Sequence, residues 1–369
     1  MTVRTLFIPL MFAALCTANV GRAADDDPAY QQTNLVSDGA ITAKTTDKNL
    51  QNSWGLAAFA GGPFWIADNK TGVSTLYTGQ GTIVPLTVKI PGPKKPPAGF
   101  TAAAPTGLVW NPNGSAFNVA PNTPALFVFA TEDGTISAWS PAQPDRSSAI
   151  LEADNSDGGN GAVYKGLALA TNSTGVFLYA TNFRAGTIDV FDSKFQPAKL
   201  TGSFSDPNLP SGYAPFGIAL VDGNLFVTYA KQDALKHDDM KGPGNGFVDV
   251  FDTDGTLITR FASRGALNSP WGIARAPLDF GPFSTQILIG NFGDGRISGF
   301  SSNGNFRGQL RGTNDRAVTI EGLWSMAFGN AAAADPNKLY FTAGSNGEAD
   351  GLFGSLSAIP NSGANSAGQ

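Results

Sequence analysis

The chain has one cysteine, Cys16, and one histidine, His237, among 369 residues. That excludes a disulfide framework, a Cys/His zinc site and thiol chemistry in the folded part. A Ser-His-Asp triad would have to be built around His237 alone. Charge is also scarce. Asp, Glu, Lys and Arg make up 14% of the chain, against about 25% in an average soluble protein. Such a composition argues against a coiled coil, a helix bundle or a disordered tail. Basic residues number 24 against 29 acidic ones, for a net charge of −5. No positive field is therefore present to attract phosphates, and nucleic acid is not an expected partner. Apolar runs stay far below the roughly 20 residues of a membrane-spanning helix. Gly-x-Ser-x-Gly elbows, Walker loops and dinucleotide fingerprints are missing as well.

Glycine is abundant, at 45 residues, and with short aliphatic and aromatic runs it points to a turn-rich β protein. The first 24 residues read as a targeting segment. Arg4 precedes the short apolar stretch Leu6 to Leu15, and Ala23-Ala24 lies just before Asp25-Asp26-Asp27. That pattern predicts export, to the periplasm or outside the cell, with cleavage after Ala24 and loss of Cys16. Residues 25–360 are then one domain, and 361–369, rich in Gly, Ser and Asn, a disordered tail.

An internal repeat organises that domain. A strand of the form aromatic-Gly-aliphatic-Ala occurs at Trp54-Gly55-Leu56-Ala57, Phe216-Gly217-Ile218-Ala219 and Trp271-Gly272-Ile273-Ala274. Degenerate copies are Thr106-Gly107-Leu108, Lys165-Gly166-Leu167-Ala168 and Trp324-Ser325-Met326-Ala327. Each is followed by a second β run, such as Phe64-Trp65-Ile66-Ala67, and by a third, such as Phe247-Val248-Asp249-Val250-Phe251. A repeat of about 50–60 residues built from short strands predicts a six-bladed β-propeller of four-stranded blades. The last repeat ends after its third strand, so Gln32 to Ser37 is expected to complete that blade and close the ring. Asp252-Thr253-Asp254-Gly255 aligns with Ser301-Ser302-Asn303-Gly304 and reads as a hairpin turn rather than a calcium loop.

Strand order puts the loops between second and third strands on one face with the loops between blades. Blade four carries a long insert there, 17 residues between Tyr229 and Phe247, with His237, Asp238 and Asp239 beside Lys236. His-Asp-Asp can bind a divalent ion, or the imidazole can act as a base oriented by a carboxylate; the alternative is a solvated loop. Trp54, Phe216, Trp271 and Trp324 share one repeat position at the start of the innermost strands. They either pack between blades or line a pocket for a flat ligand. Asp68, Asn182, Asn291 and Glu321 form a further oxygen set near the channel, suited to Ca²⁺ if they converge and to turn backbones if they do not.

Asn52-Ser53-Trp54-Gly55, Ala67-Asp68-Asn69 and Lys236-His237-Asp238-Asp239, followed by Gly244-Asn245-Gly246-Phe247, together resemble a family of secreted bacterial six-bladed propellers. That family is related to the NHL-repeat and streptogramin-lyase propellers. The resemblance spans about Tyr30 to Pro360 and implies fold, export and release, but no activity. Glu321-Gly322-Leu323-Trp324 is similar to the Glu-Gly-Pro opening of calcium-dependent lactonases, with Leu323 in place of the proline. Streptogramin-type lyases place a His near the channel, and His237 matches it if the insert folds back over the axis. The expectation is a monomeric module that binds a small molecule, glycan or protein on the insert-bearing face. The alternatives are a Ca²⁺-dependent lactonase or lyase and a structural envelope protein.

Overall fold

A computed structural model describes residues 29–359. The targeting segment with Cys16 and the tail 361–369 lie outside the described residues. Six antiparallel blades follow one another in the chain. Their innermost strands are Ser53–Ala57, Pro105–Trp110, Tyr164–Thr171, Tyr213–Val221, Pro270–Arg275 and Leu323–Phe328. All six coincide with the repeat position found in the sequence. In blade six the innermost strand is followed by Lys338–Ala343 and Leu352–Ala358, and Tyr30–Ser37 pairs antiparallel with the last of these. The N-terminal strand thus supplies the fourth strand of the last blade and closes the ring, as its sequence position predicted.

Blade three departs in detail from the plan. Its ladder holds three strands, Tyr164–Thr171, Val176–Asn182 and Thr187–Phe191. The fourth position is taken by an irregular segment, tied on by an Ala198 N–H donated to the Val190 carbonyl at 2.8 Å. The Asp252–Gly255 and Ser301–Gly304 turns close as hairpins, with the glycine N–H donated back to the Asp252 and Ser301 carbonyls. No helix among the described residues is long and apolar enough to cross a membrane.

Blades hold together because side chains on alternate faces of each strand meet those of the neighbouring blades. Trp65 of blade one stacks on Phe127 of blade two at 4.3 Å and tilts against Trp139 at 4.7 Å. Threonines on second strands add polar stitches between blades. Thr181 donates to the Phe216 carbonyl at 2.8 Å and Thr342 to the Trp54 carbonyl at 2.5 Å. At the ring closure the Tyr30 hydroxyl donates to the Phe280 carbonyl at 2.8 Å, with the two rings 4.9 Å apart.

One outer strand carries a titratable liability. Glu152 lies on the fourth strand of blade two, its Oε1 buried without a partner. Burial raises its pKa to about 7. A carboxyl whose folded pKa is raised contributes stability below its unfolded pKa, about 4.3, and loses it as pH climbs through about 7. Glu152→Gln should therefore match the wild type near pH 4 and exceed it at pH 8.5 by about 1–2 kcal/mol, a value reduced for the solvent the group retains. Urea unfolding at the two pH values checks this; equal differences at both would refute it.

Candidate functional site

One register position near the start of each innermost strand brings side chains of several blades together. In register these are Trp54, Thr106, Lys165, Phe216, Trp271 and Trp324, each followed by Gly or Ser. The aromatics among them pack on one another, and Trp271 also lines a cavity between the innermost strands, with Leu56, Leu108, Leu167, Ile218 and Met326. Trp54 stacks on Trp324 at 3.5 Å and 24°, and Trp324 stacks in turn on Phe292 at 3.8 Å and 13°. Trp271 meets both tryptophans edge-on, and Phe216 lies 5.8 Å from Trp324 and 5.3 Å from Phe183. All are buried. Together they form an aromatic plug across the channel.

Blade three places an ammonium where blades one, four, five and six place aromatic rings. The Lys165 side chain is 2% exposed. Its Nζ lies 5.1 Å from the Trp54 ring centroid and is paired with Glu132 from blade two. A second carboxylate, Asp238 Oδ1 of the blade-four insert, lies 3.3 Å away. Burial opposes the charge of Lys165, but Glu132 and Asp238 outweigh it and hold its pKa above the usual lysine range. The insert thus reaches the neighbouring blade three.

Around this pair the polar groups form a chain. Glu132 Oε2 accepts from Asn69 Nδ2 at 2.8 Å, and Asn69 Oδ1 accepts from Asn52 Nδ2 at 3.1 Å. Asn52 also donates to Glu348 Oε2 at 3.0 Å and accepts from Trp324 Nε1 at 3.1 Å. Burial raises the pKa of Glu348, and the Glu132 charge adds to it. Asn52, Ser269 and Glu348 all hold left-handed backbone, at φ +46°, +45° and +69°. Backbone strain of this kind clusters at functional sites. Trp54 Nε1 is buried here with no partner, and the Ser269 hydroxyl faces the Asp239 carboxyl and offsets part of the rise in pKa that burial gives it.

On the insert, His237 Nδ1 and Asp238 Oδ1 share a hydrogen bond of 2.9 Å. That bond, ahead of the effect of Lys165, holds the Asp238 pKa well below the carboxylate range, and it raises that of His237. Asp239 is largely buried and its pKa is raised for that reason. Lys236 stands exposed with left-handed backbone at φ +54°. Glu132, His237 and Asp238 bring ligand atoms within 4.8 Å of one another, a geometry open to a metal ion. The Lys165 ammonium already sits on both carboxylates.

The other oxygen set is held locally, each member within its own blade. Asp68, fully buried, accepts from Thr75 at 2.7 Å and Ser53 at 3.4 Å. Asn182 donates to Asp189 at 3.0 Å and accepts from the Ala185 N–H at 3.2 Å. Asn291 donates to the Ala266 carbonyl at 2.8 Å and accepts from the Asn268 N–H at 3.1 Å. Glu321 accepts from the Gly347 N–H at 3.4 Å. Among the described residues no hydrogen bond links any of the four to another.

No family model matches the chain. It is 34% identical over 331 residues to uncharacterized protein R648 of Acanthamoeba polyphaga mimivirus, across 87% of this chain and 78% of that one. The chain belongs to the R648 family. These relatives are viral and do not support the bacterial, secreted character that the resemblance implied. Among solved structures, a Bacteroides thetaiotaomicron protein of unknown function is 12% identical, with a TM-score of 0.55 over 90% of this chain and 77% of its own. The soluble aldose sugar dehydrogenase of Escherichia coli is 12% identical, with a TM-score of 0.53 over 90% and 100%. Virginiamycin B lyase of Staphylococcus aureus is 13% identical, with a TM-score of 0.48 over 90% and 100%. At such identities the first two likenesses show the fold alone. Lys165, Glu132, Asn52 and Glu348 were not singled out as site residues in the sequence. For Lys165 a signal existed, because it occupies the repeat position that four other blades of this R648-family chain fill with Trp or Phe.

Proposed function

We propose that the chain is an exported, monomeric binding module that takes a small polar molecule or glycan on the insert-bearing face, at the axial cluster of Lys165 and Glu132. One observation carries this reading: a buried ion pair stands in the ring of axial positions otherwise given mainly to aromatics. Burying two charges is expensive, and apolar residues of similar volume often serve stability equally well or better. The unpartnered Trp54 Nε1 adds a donor suited to a ligand bearing hydroxyls. Export rests on the N-terminal pattern from Arg4 to Ala24.

The test is a thermal-shift panel of neutral sugars, polyols and amino acids on the wild type and on Lys165→Met/Glu132→Gln. At least one compound should raise the wild-type melting temperature saturably and leave the double variant unmoved. Binding that survives in the double variant, or none in the panel, would count against the site. The metal reading has its own check. Because Lys165 supplies the cation for Glu132 and Asp238, EDTA should leave the melting temperature unchanged. Near one Ca²⁺ per chain by elemental mass spectrometry, with a melting point that falls on chelation, would instead favour the lactonase or lyase alternative.

A further inference from the structure

The insert is anchored at its roots and free at its tip. Gln232 Nε2 donates to the Phe183 carbonyl at 2.5 Å, and the Gly242 N–H donates to Asn268 Oδ1 at 2.7 Å. Lys241 Nζ lies 3.8 Å from the Phe292 ring centroid. Between these roots, Ala234, Leu235 and Lys236 are exposed, Leu235 at 77%. Asp238 closes the tip. Its side chain is 67% exposed, yet its Oδ1 reaches the 2%-exposed Lys165 ammonium. The separation of 3.3 Å is longer than the roughly 2.7–2.9 Å of a tight charge-assisted bond. A largely exposed carboxylate thus meets a buried cation.

We propose that Asp238 is a tethered stand-in, and that the ligand of this face carries a carboxylate that displaces Asp238 from Lys165; this rests on the binding reading above. Glu132 satisfies Lys165 from the ring side and stays in place. The other titratable groups around the slot are Lys241, a cation, His237, a cation when protonated, and Asp133, Glu348 and Asp239, carboxyls whose pKa burial raises. A tethered competitor lowers the apparent affinity of a free ligand by the fraction of time the slot is occupied. Removing it should strengthen binding.

Acetate and galacturonate serve as probes, with galacturonate methyl ester and galactose as uncharged counterparts and triglycine against its C-terminal amide to separate a peptide end from a small acid. Titrations are followed by tryptophan fluorescence, since Trp54 lies beneath Lys165. Asp238→Asn should bind at least one free acid about tenfold or more tighter than the wild type, with no such gain for the ester, galactose or the amide. Asp238→Asn/Lys165→Met/Glu132→Gln, shown folded by circular dichroism, should lose that binding. Equal affinity in wild type and Asp238→Asn, or equal affinity for acid and ester, would overturn the proposal. Galactose that binds through Lys165 with no gain for acids would overturn this inference while leaving the binding reading intact.

Discussion

Glu132→Gln should destabilise the protein by about 3–5 kcal/mol, the largest effect expected of any isosteric change at the site. The substitution keeps the volume and the bond from Asn69 but removes the charge that neutralises Lys165. The ammonium is then left 2% exposed, with the Asp238 contact at 3.3 Å as its nearest opposing charge. Lys165→Met in the same background should recover most of the loss, because the charge needing compensation is gone and the thioether packs against Trp54 and Phe183. A double-mutant cycle by urea unfolding at pH 7 measures the coupling directly. Single changes of under about 1 kcal/mol, or a double variant as unstable as Glu132→Gln, would show that the pair is solvated. The protein would then have no costly feature at the axis for function to explain.

Much of the ring was readable from the sequence because its demands are local and repeated. An innermost strand needs a residue without a side chain at one position and apolar partners at the next two, so the register shows wherever that strand recurs. Trp324-Ser325 is the exception and lies at the closing seam, where the innermost strands of blades six and one pack less extensively than any other adjacent pair. The reduced fourth strand of blade three left no comparable trace, since the strand pattern of one blade does not report on pairing at its outer edge. The insert stood out by length and charge. Its reach to blade three did not, because that depends on Gln232 meeting Phe183 and Asp238 meeting Lys165 across two blades. The axial cluster was hardest to read. Asn52, Glu132, Lys165 and Glu348 come from four blades, and Glu348 joins Asn52 across 296 residues. No spacing rule links such positions; only ring closure does.

The same ring geometry gives a second large effect, far from the charges. A Cβ on Gly217 would lie 2.2 Å from the Trp271 carbonyl oxygen and 2.9 Å from the Thr228 hydroxyl. The first of these is backbone of the next blade, which cannot swing aside as a side-chain tip would. Gly217→Ala should therefore push blades four and five apart and cost about 3 kcal/mol, at the upper end of what overpacking does. Gly114→Ala supplies the contrast. Nothing lies within 4 Å of its added methyl, and no left-handed backbone is required there. That change should be neutral or slightly stabilising, by a few tenths of a kcal/mol, through the unfolded state. If the two substitutions proved equally mild in urea unfolding, the close approach of innermost strands would not be the reason the repeat keeps glycine. A large loss at Gly217 alone would tie the most regular feature of the sequence to the inter-blade distance, the same distance that holds Lys165 and Glu132 together on the axis.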